Sequence, residues 1–301
     1  MNDPVGAEAT GIDASSELSG AGQPAPLTFA GLVLDRPRIM GVVNVTPDSF
    51  SDGGDAYPPA AAIGRGLSLH AAGAEIVDVG GESTRPGADP VPVEEELARV
   101  VPVVEELVRS GVVVSVDTRR AAVMEAAMEA GATIINDVSA LAGDPGSMQA
   151  AARGQASVVL MHMQGDPRTM QLAPCYDDVV RDVRGWLRAR IAACEAAGIA
   201  ADRIAIDPGI GFGKTVQHNL ALLAHLDVLV GLGRPLVLGV SRKSFIARLS
   251  HGEPPKDRVA GSLAAALFGL LHGVHILRVH DVAETRQALA VWQAIADNRL
   301  N

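Results

Sequence analysis

The sequence predicts an α/β protein, a single closed (β/α)8 barrel of the TIM type, from three observations. Eight short apolar runs alternate with longer amphipathic stretches over ~260 residues, the rhythm of parallel strands joined by crossover helices. An open doubly wound sheet would carry a glycine fingerprint after its first run, and Gly41 starts no such pattern. Polar residues collect at the C-terminal ends of the runs, on the rim where barrels of this kind build their sites.

The runs are IMGVVN (39–44), EIVDVG (75–80), VVVSVD (112–117), TIIND (133–137), SVVLMH (157–162), RIAID (203–207), LVLGV (236–240) and HILRV (275–279). Ala/Leu/Glu/Arg-rich stretches at 60–72, 93–109, 121–130, 177–197, 219–230, 262–271 and 282–298 read as helices, and another opens near Phe245. The chain is 48% hydrophobic but 3% aromatic, so Ala, Val, Leu and Ile must fill the core. A parallel barrel interior takes such branched aliphatic side chains. A length of 301 residues would suit two domains at ~150 each, yet one α/β barrel commonly uses ~250. The expected division is therefore a disordered tail, 1–26, rich in Ala, Gly, Ser, Asp and Pro, and one barrel domain, 27–301. Residues 27–34 form a candidate hairpin ahead of the first barrel strand.

A formal net charge of −10 argues against a nucleic-acid partner, which needs a cationic face. Cys175 and Cys194 form no ligand pattern and read as free thiols in a reducing compartment. No apolar run reaches the ~18–20 residues of a membrane span, and no secretory signal opens the chain, so the expected location is the cytoplasm.

Asn44, Asp117, Asp137, His162, Asp207 and His280 each stand at or just past the end of a run. One such residue could be a helix cap, but six on one rim suggest a site. NVTPDSFSDGG (44–54) is long for a βα loop, and Phe50 interrupts its small polar residues, as in a mobile lid or a plain surface loop. In GGESTRPGA (80–88), Ser83, Thr84 and Arg85 suit a phosphate, or an ordinary solvent-facing turn. DPGIGFGKT (207–215) fails the Walker pattern at Pro208 and the dinucleotide fingerprint at Lys214. It leaves Asp207, glycines that let backbone approach a flat ligand, and Phe212 to cover it. SRKS (241–244) opens a helix whose N–H groups, with Arg242 and Lys243, can hold an anion. In RVHD (278–281), Arg278 and His280 share one strand face, so two potential cations complete an electropositive corner in an acidic chain.

Asp117, Asn136, Asp207 and Lys243 together offer acceptors and donors to the edge of a planar heterocycle. A glycosidase could use the same aspartates but would want stacking aromatics, which are scarce. A divalent-metal hydrolase would want HExxH or a comparable His/Asp cluster, which the sequence lacks. His272 and His275 read as structural.

NVTPDSFSDGG, ESTRPGA, SVDT, IIND, MHMQGDPRTMQ, DPGIGFGKTVQHN, GVSRKSF and RVHDV stand in the order found in dihydropteroate synthases, and the resemblance spans about 38–290. It implies a folate-pathway transferase, a sulfonamide target, that condenses 6-hydroxymethyl-7,8-dihydropterin diphosphate with p-aminobenzoate. It further implies that Asp117, Asn136, Asp207 and Lys243 hold the pterin, that Thr84, Arg278 and His280 meet the diphosphate, and that Asn44 ligates Mg2+. Phe50, Phe212 and Ser244 would lie near p-aminobenzoate, and Asp117, Lys243, Arg278 and His280 would serve catalysis. The resemblance also implies a homodimer, for which the apolar stretches 262–271 and 282–298 could supply the interface. Asp166 and the pair Arg119–Arg120 depart from the family's pattern at positions outside these ligands. Two other functions compete: a pterin-dependent methyltransferase, whose donor would bring no diphosphate, and a silent pterin-binding paralogue, which should have lost Asn44, Lys243, Arg278 or His280.

Overall fold

A computed structural model describes residues 26–46, 59–83 and 90–298. The expected tail up to residue 25, Phe50, Thr84 and most of the first two loops lie outside the described residues. Strands β1 (Thr28–Phe29) and β2 (Leu32–Val33) form the antiparallel hairpin anticipated at 27–34. Eight parallel strands follow: β3 (Arg38–Asn44), β4 (Ile76–Gly80), β5 (Val113–Asp117), β6 (Ile134–Asp137), β7 (Ser157–Met161), β8 (Ile204–Asp207), β9 (Val237–Leu238) and β10 (Ile276–Val279). Their order is β8-β7-β6-β5-β4-β3-β10-β9. A parallel bridge from Ile206 to Leu236, with the Ile206 amide donating to Pro235 O at 2.9 Å, joins β8 to the entry of β9. The ring is thereby closed, as the sequence predicts.

Ten helices are described: α1 (Pro59–Ala71), α2 (Val93–Arg109), α3 (Ala121–Glu129), α4 (Ser147–Arg153), α5 (Val179–Ala196), α6 (Val216–Ala224), α7 (Leu226–Val230), α8 (Ser244–Leu249), α9 (Val259–Leu271) and α10 (Val282–Asn298). The stretch read as one helix at 219–230 is two, because His225 leaves helical torsion angles (φ −130°, ψ 36°) and separates α6 from α7. Helix α2 shows the packing logic of the outer layer. Its Val100, Val103, Val104 and Leu107 recur at three- and four-residue spacing and are fully buried.

Strand alternation divides the core in two. Outward residues such as Val77, Val79, Val114, Val116, Val158, Leu160, Leu238 and Leu277 pack with the helices. Inward residues Met40, Ile76, Ile134, Val159, Ala205, Val237 and Ile276 form a second cluster with Phe29 and Leu34, so the hairpin plugs the lower end. Burying each large aliphatic side chain contributes ~1.5–3 kcal/mol, which makes this floor a main anchor of the barrel. Two residues further along the same inward rows stand Asp78, Ser115, Asn136, Asp207 and Arg278, followed on their strands by Asn44 and Asp117. The lumen is apolar below and polar above. No helix among the described residues is long and apolar enough to cross a membrane. Cys175 is exposed and Cys194 buried, both unpaired as expected.

Candidate active site

The upper lumen ends in a pit lined by Asp117, Asn136, Met161, Asp207, Phe212, Gly239, Lys243 and Arg278. It shares Asp117, Phe212, Lys243 and Arg278 with a wider cleft of about 660 Å³ that also meets Asn44, Thr46, Ser83, Ser241, Ser244 and His280. The four residues assigned to a heterocycle edge therefore converge on one small space. Asn44 and Ser244 line the wider cleft, on opposite sides of the sequence but on one rim.

Arg278 organises the pit. Its Nε donates to Asp78 Oδ2 at 2.7 Å and its Nη2 to Asp117 Oδ2 at 2.6 Å. Burial works against the guanidinium charge, but Asp78 and Asp117 outweigh it and raise the Arg278 pKa. Burial pushes Asp117 up to about 7; Arg278 pulls it down, and Asp78 adds repulsion. Burial also raises Asp207, against the Gly209 amide that donates to its Oδ1 at 2.7 Å. Lys243 is lowered to about 8, burial outweighing the attraction of Asp207. Its ammonium sits 4.1 Å from the Phe212 ring centroid, a cation–π contact that positions the ring over the pit. These opposed shifts leave an acid and a base both near neutrality in one cleft, a mark of a functional site.

Sequence reasoning assigned no role to Asp78 or Lys214. Lys214 is buried, and its Nζ meets His162 Nδ1 (3.0 Å) and the carbonyls of His162 (3.2 Å), Gly209 (3.0 Å) and Phe212 (2.9 Å). Burial lowers its pKa to about 7. It clamps the loop that carries Phe212. That loop runs so close to the end of β7 that a Cβ on Gly209, at φ +66°, would stand 1.9 Å from His162 O. The glycines of DPGIGFGKT thus serve backbone approach to backbone, in addition to any approach to a ligand.

Several rim assignments change. Asp137 faces away from the lumen and accepts from Ser139 N (2.7 Å), Ser139 Oγ (2.7 Å) and Leu141 N (2.9 Å), a turn-former. His162 is engaged by Lys214, and burial lowers it to about 3. Arg242 is not a free anion-holder, because Asp281 accepts from its Nε at 3.0 Å and from its Nη2. His280 is no cation at neutral pH: burial, with Arg278 and Arg242, lowers it to about 3. Ser241 Oγ lies 3.0 Å from His280 Nδ1 and accepts the His280 amide, so its hydroxyl is free to donate to Nδ1 and leave the ring proton on Nε2. Arg242 and His280 thus add less charge to the predicted electropositive corner than the sequence suggests, while Arg248 and Arg258 line the same cleft beside Lys243 and Arg278. His275 is structural, its Nδ1 accepting the Leu236 amide at 3.1 Å.

The departures also find partners. Arg119 pairs with Glu82 at 2.7 Å, and Arg120 with Glu82 at 3.3 Å and with buried Glu96 at 3.1 Å. Together they tie the base of the second loop to α2 and to the end of β5. Asp166 Oδ1 caps a turn by accepting Arg168 N at 2.9 Å and Thr169 N at 3.1 Å.

The family model described as pterin binding enzyme matches residues 40–280. The dihydropteroate synthase of Neisseria meningitidis serogroup B is 52% identical over 272 residues, 88% of this chain and 95% of that one. The structure of Xanthomonas albilineans dihydropteroate synthase with 4-aminobenzoic acid superposes with TM-score 0.85 at 54% identity, covering 91% of this chain and 99% of that one. The same organism's enzyme in complex with 7,8-dihydropteroate matches at TM-score 0.80 and 51% identity, covering 88% and 95%.

Proposed function

The chain belongs to the dihydropteroate synthase family of pterin-binding enzymes, and we propose that its pit and cleft join 6-hydroxymethyl-7,8-dihydropterin diphosphate to p-aminobenzoate, with release of diphosphate. The observation that carries this reading is the convergence of Asp117, Asn136, Asp207 and Lys243 on one narrow pit floored by an Arg278–carboxylate network. Acceptors and donors on three sides match a ring whose edge carries both N–H and lone-pair groups.

In this scheme the C–O bond to the diphosphate breaks, the diphosphate leaves with the electron pair, and a cation conjugated to the pterin remains. The Asp117 carboxylate stabilises that cation, and its elevated pKa keeps the carboxylate available only from near neutrality upward. Arg278 has five N–H groups, of which Asp78 and Asp117 take two, so three remain for the departing diphosphate. Neutral His280 adds its Nε2–H as a donor. The aniline nitrogen of p-aminobenzoate then attacks the exocyclic carbon and loses a proton to water, and no nucleophilic side chain is used. Phe212, held by Lys243, covers that substrate, with Ser244 at the edge of the same cleft; sulfonamides, which carry an aniline too, would compete there.

No group of three or more His, Cys, Asp or Glu side chains converges as a metal site among the described residues. Mg2+ does not need one, since it commonly takes one or two protein oxygens and completes its shell with phosphate oxygens and water. Asn44, an oxygen donor lining the cleft, fits as that single ligand. A bound ion there would neutralise charge on the diphosphate. The exposed Phe268, Leu271, Val291 and Ile295 on the adjoining helices α9 and α10 support a homodimer through this face. The unpaired cysteines suit a cytoplasmic location.

The test is diphosphate release from the dihydropterin diphosphate with Mg2+, with and without p-aminobenzoate, for wild type and Asp117→Asn. Product formation that requires p-aminobenzoate and falls sharply in the variant is expected. Pterin binding with no product under any condition would overturn the proposal in favour of a binding paralogue.

A further inference from the structure

Resting on the pterin reading of the pit, we propose that Asp78, which does not line the pit, is a positioning residue for pterin recognition. It dictates which end of the Asn136 carboxamide and which N–H groups of Arg278 face the ligand.

Asp78 projects from β4 into the lumen and is fully buried. Its Oδ2 accepts from Asn136 Nδ2 at 3.0 Å and from Arg278 Nε at 2.7 Å. A carboxamide can present either its carbonyl or its amino group, and the two orientations have nearly the same shape. An ionised carboxylate only accepts, so Asp78 draws in the amino group and leaves the Asn136 carbonyl as the acceptor on the pit side. The guanidinium is gripped at two points, by Asp78 at Nε and Asp117 at Nη2, which fixes its plane. With one grip removed, it could swivel about the other.

The burial of Asp78 is costly. Its Oδ1 has no hydrogen-bond partner among the described residues, and neither has the hydroxyl of Ser115, its register neighbour on β5. A buried ion pair adds little net stability compared with apolar packing, and an unmet carboxylate oxygen subtracts from it. The arrangement makes sense as the means of orienting two ligand-facing groups from strands on opposite sides of β4.

Asp78→Asn keeps the size and shape but removes the charge and lets the Asn136 amide take either orientation. Titration calorimetry with 6-hydroxymethyl-7,8-dihydropterin, alongside KM for both substrates, tests the role. We expect pterin affinity to fall and the pterin diphosphate KM to rise by about tenfold or more, the scale of one charge-assisted hydrogen bond. The p-aminobenzoate KM should stay within about twofold, since Asp78 contacts nothing in that part of the cleft. Ser115→Ala, a change to the same stretch of lumen, should leave pterin affinity at the wild-type level. If Asp78→Asn fails to fold, Asp78→Ser is read by the same criteria. Pterin affinity equal to wild type, or both KM values moving together in proportion to lost thermal stability, would overturn the inference. Wild type that binds no pterin at all would instead refute the reading of the pit itself, and this inference with it.

Discussion

Replacing Asp117 by Asn should move activity and stability in different directions, and the size of the stability effect follows from the site. Burial raises the Asp117 pKa from an ordinary 3.8 to about 7 despite the Arg278 guanidinium 2.6 Å away. Between those two values the folded chain holds a proton that the unfolded chain has released. The folded state therefore binds more protons, and its stability falls as pH rises. The contribution is fully present below ~4 and is lost as the pH passes ~7. Between pH 5 and pH 8 the wild type should lose ~2–3 kcal/mol through this one group, at ~1.4 kcal/mol for each tenfold change in protonation. Asp117→Asn cannot lose it. Other shifted groups contribute to both proteins, and the difference between them isolates Asp117. Urea denaturation of both at pH 5 and pH 8 gives the quantity directly. The stability of the variant relative to wild type should improve by ~2–3 kcal/mol across that range, the Arg278 attraction being already contained in the Asp117 value. At pH 8, kcat/KM should still fall by a factor on the order of a hundred or more, because the developing cation loses its counter-charge. A stability difference that does not change with pH would show that Asp117 is already ionised at pH 5, and the account of the pit as an unusually dry site would fail.

Lys214→Met would strand three carbonyls and the His162 ring nitrogen that the ammonium now satisfies. We expect a loss of ~2–4 kcal/mol by urea denaturation and a raised p-aminobenzoate KM; unchanged stability would mean that the clamp is idle. Gly209→Ala places a methyl 1.9 Å from His162 O at a positive φ, and should cost more than ~3 kcal/mol, seen as a lowered Tm or loss of soluble protein. Removing Mg2+ with a chelator should weaken binding of the dihydropterin diphosphate but not of the dihydropterin alone, measured by calorimetry; equal binding of the diphosphate with and without the ion would count against Asn44 as its ligand.

The barrel was legible because its strands carry aliphatic runs and their spacing reports the crossover helices. What escaped was local. Helix α4 is seven residues without a side-chain cap, so no boundary signal marks it. The split at His225 lies inside a stretch whose composition suits one continuous helix. The pit residues were legible as polar interruptions at strand ends, and the structure brings Asp117, Asn136, Asp207, Lys243 and Arg278 together. Asp137 was separable by parity: it directly follows Asn136, and neighbouring strand residues point to opposite faces. Asp78 is the harder case. Its interruption of EIVDVG was visible, but its partners lie 58 and 200 residues away along the chain, and only closure of the barrel joins them.

Closure also alters the charge reckoning that sequence alone supports. Arg242, Lys243, Arg278 and His280 in two short motifs suggest a cationic corner waiting for an anion. In the folded chain Arg242 is occupied by Asp281, His280 is neutral, and Lys243 titrates near 8. Arg278 faces two carboxylates, and Asp207 stands beside Lys243. The buried side chains of Arg278, Lys243 and Lys214 thus stand among the carboxyl groups of Asp78, Asp117 and Asp207. Such a balance suits a neutral pterin and a cation developing upon it, since the carboxylates are already in place when the C–O bond breaks. The wider cleft differs from the pit: Arg248 and Arg258 also line it and Asp117 is the one acidic residue among its described lining, so a diphosphate meets positive charge there. A divalent cation held by one neutral amide ligand, Asn44, would add to that charge without upsetting the balance of the pit.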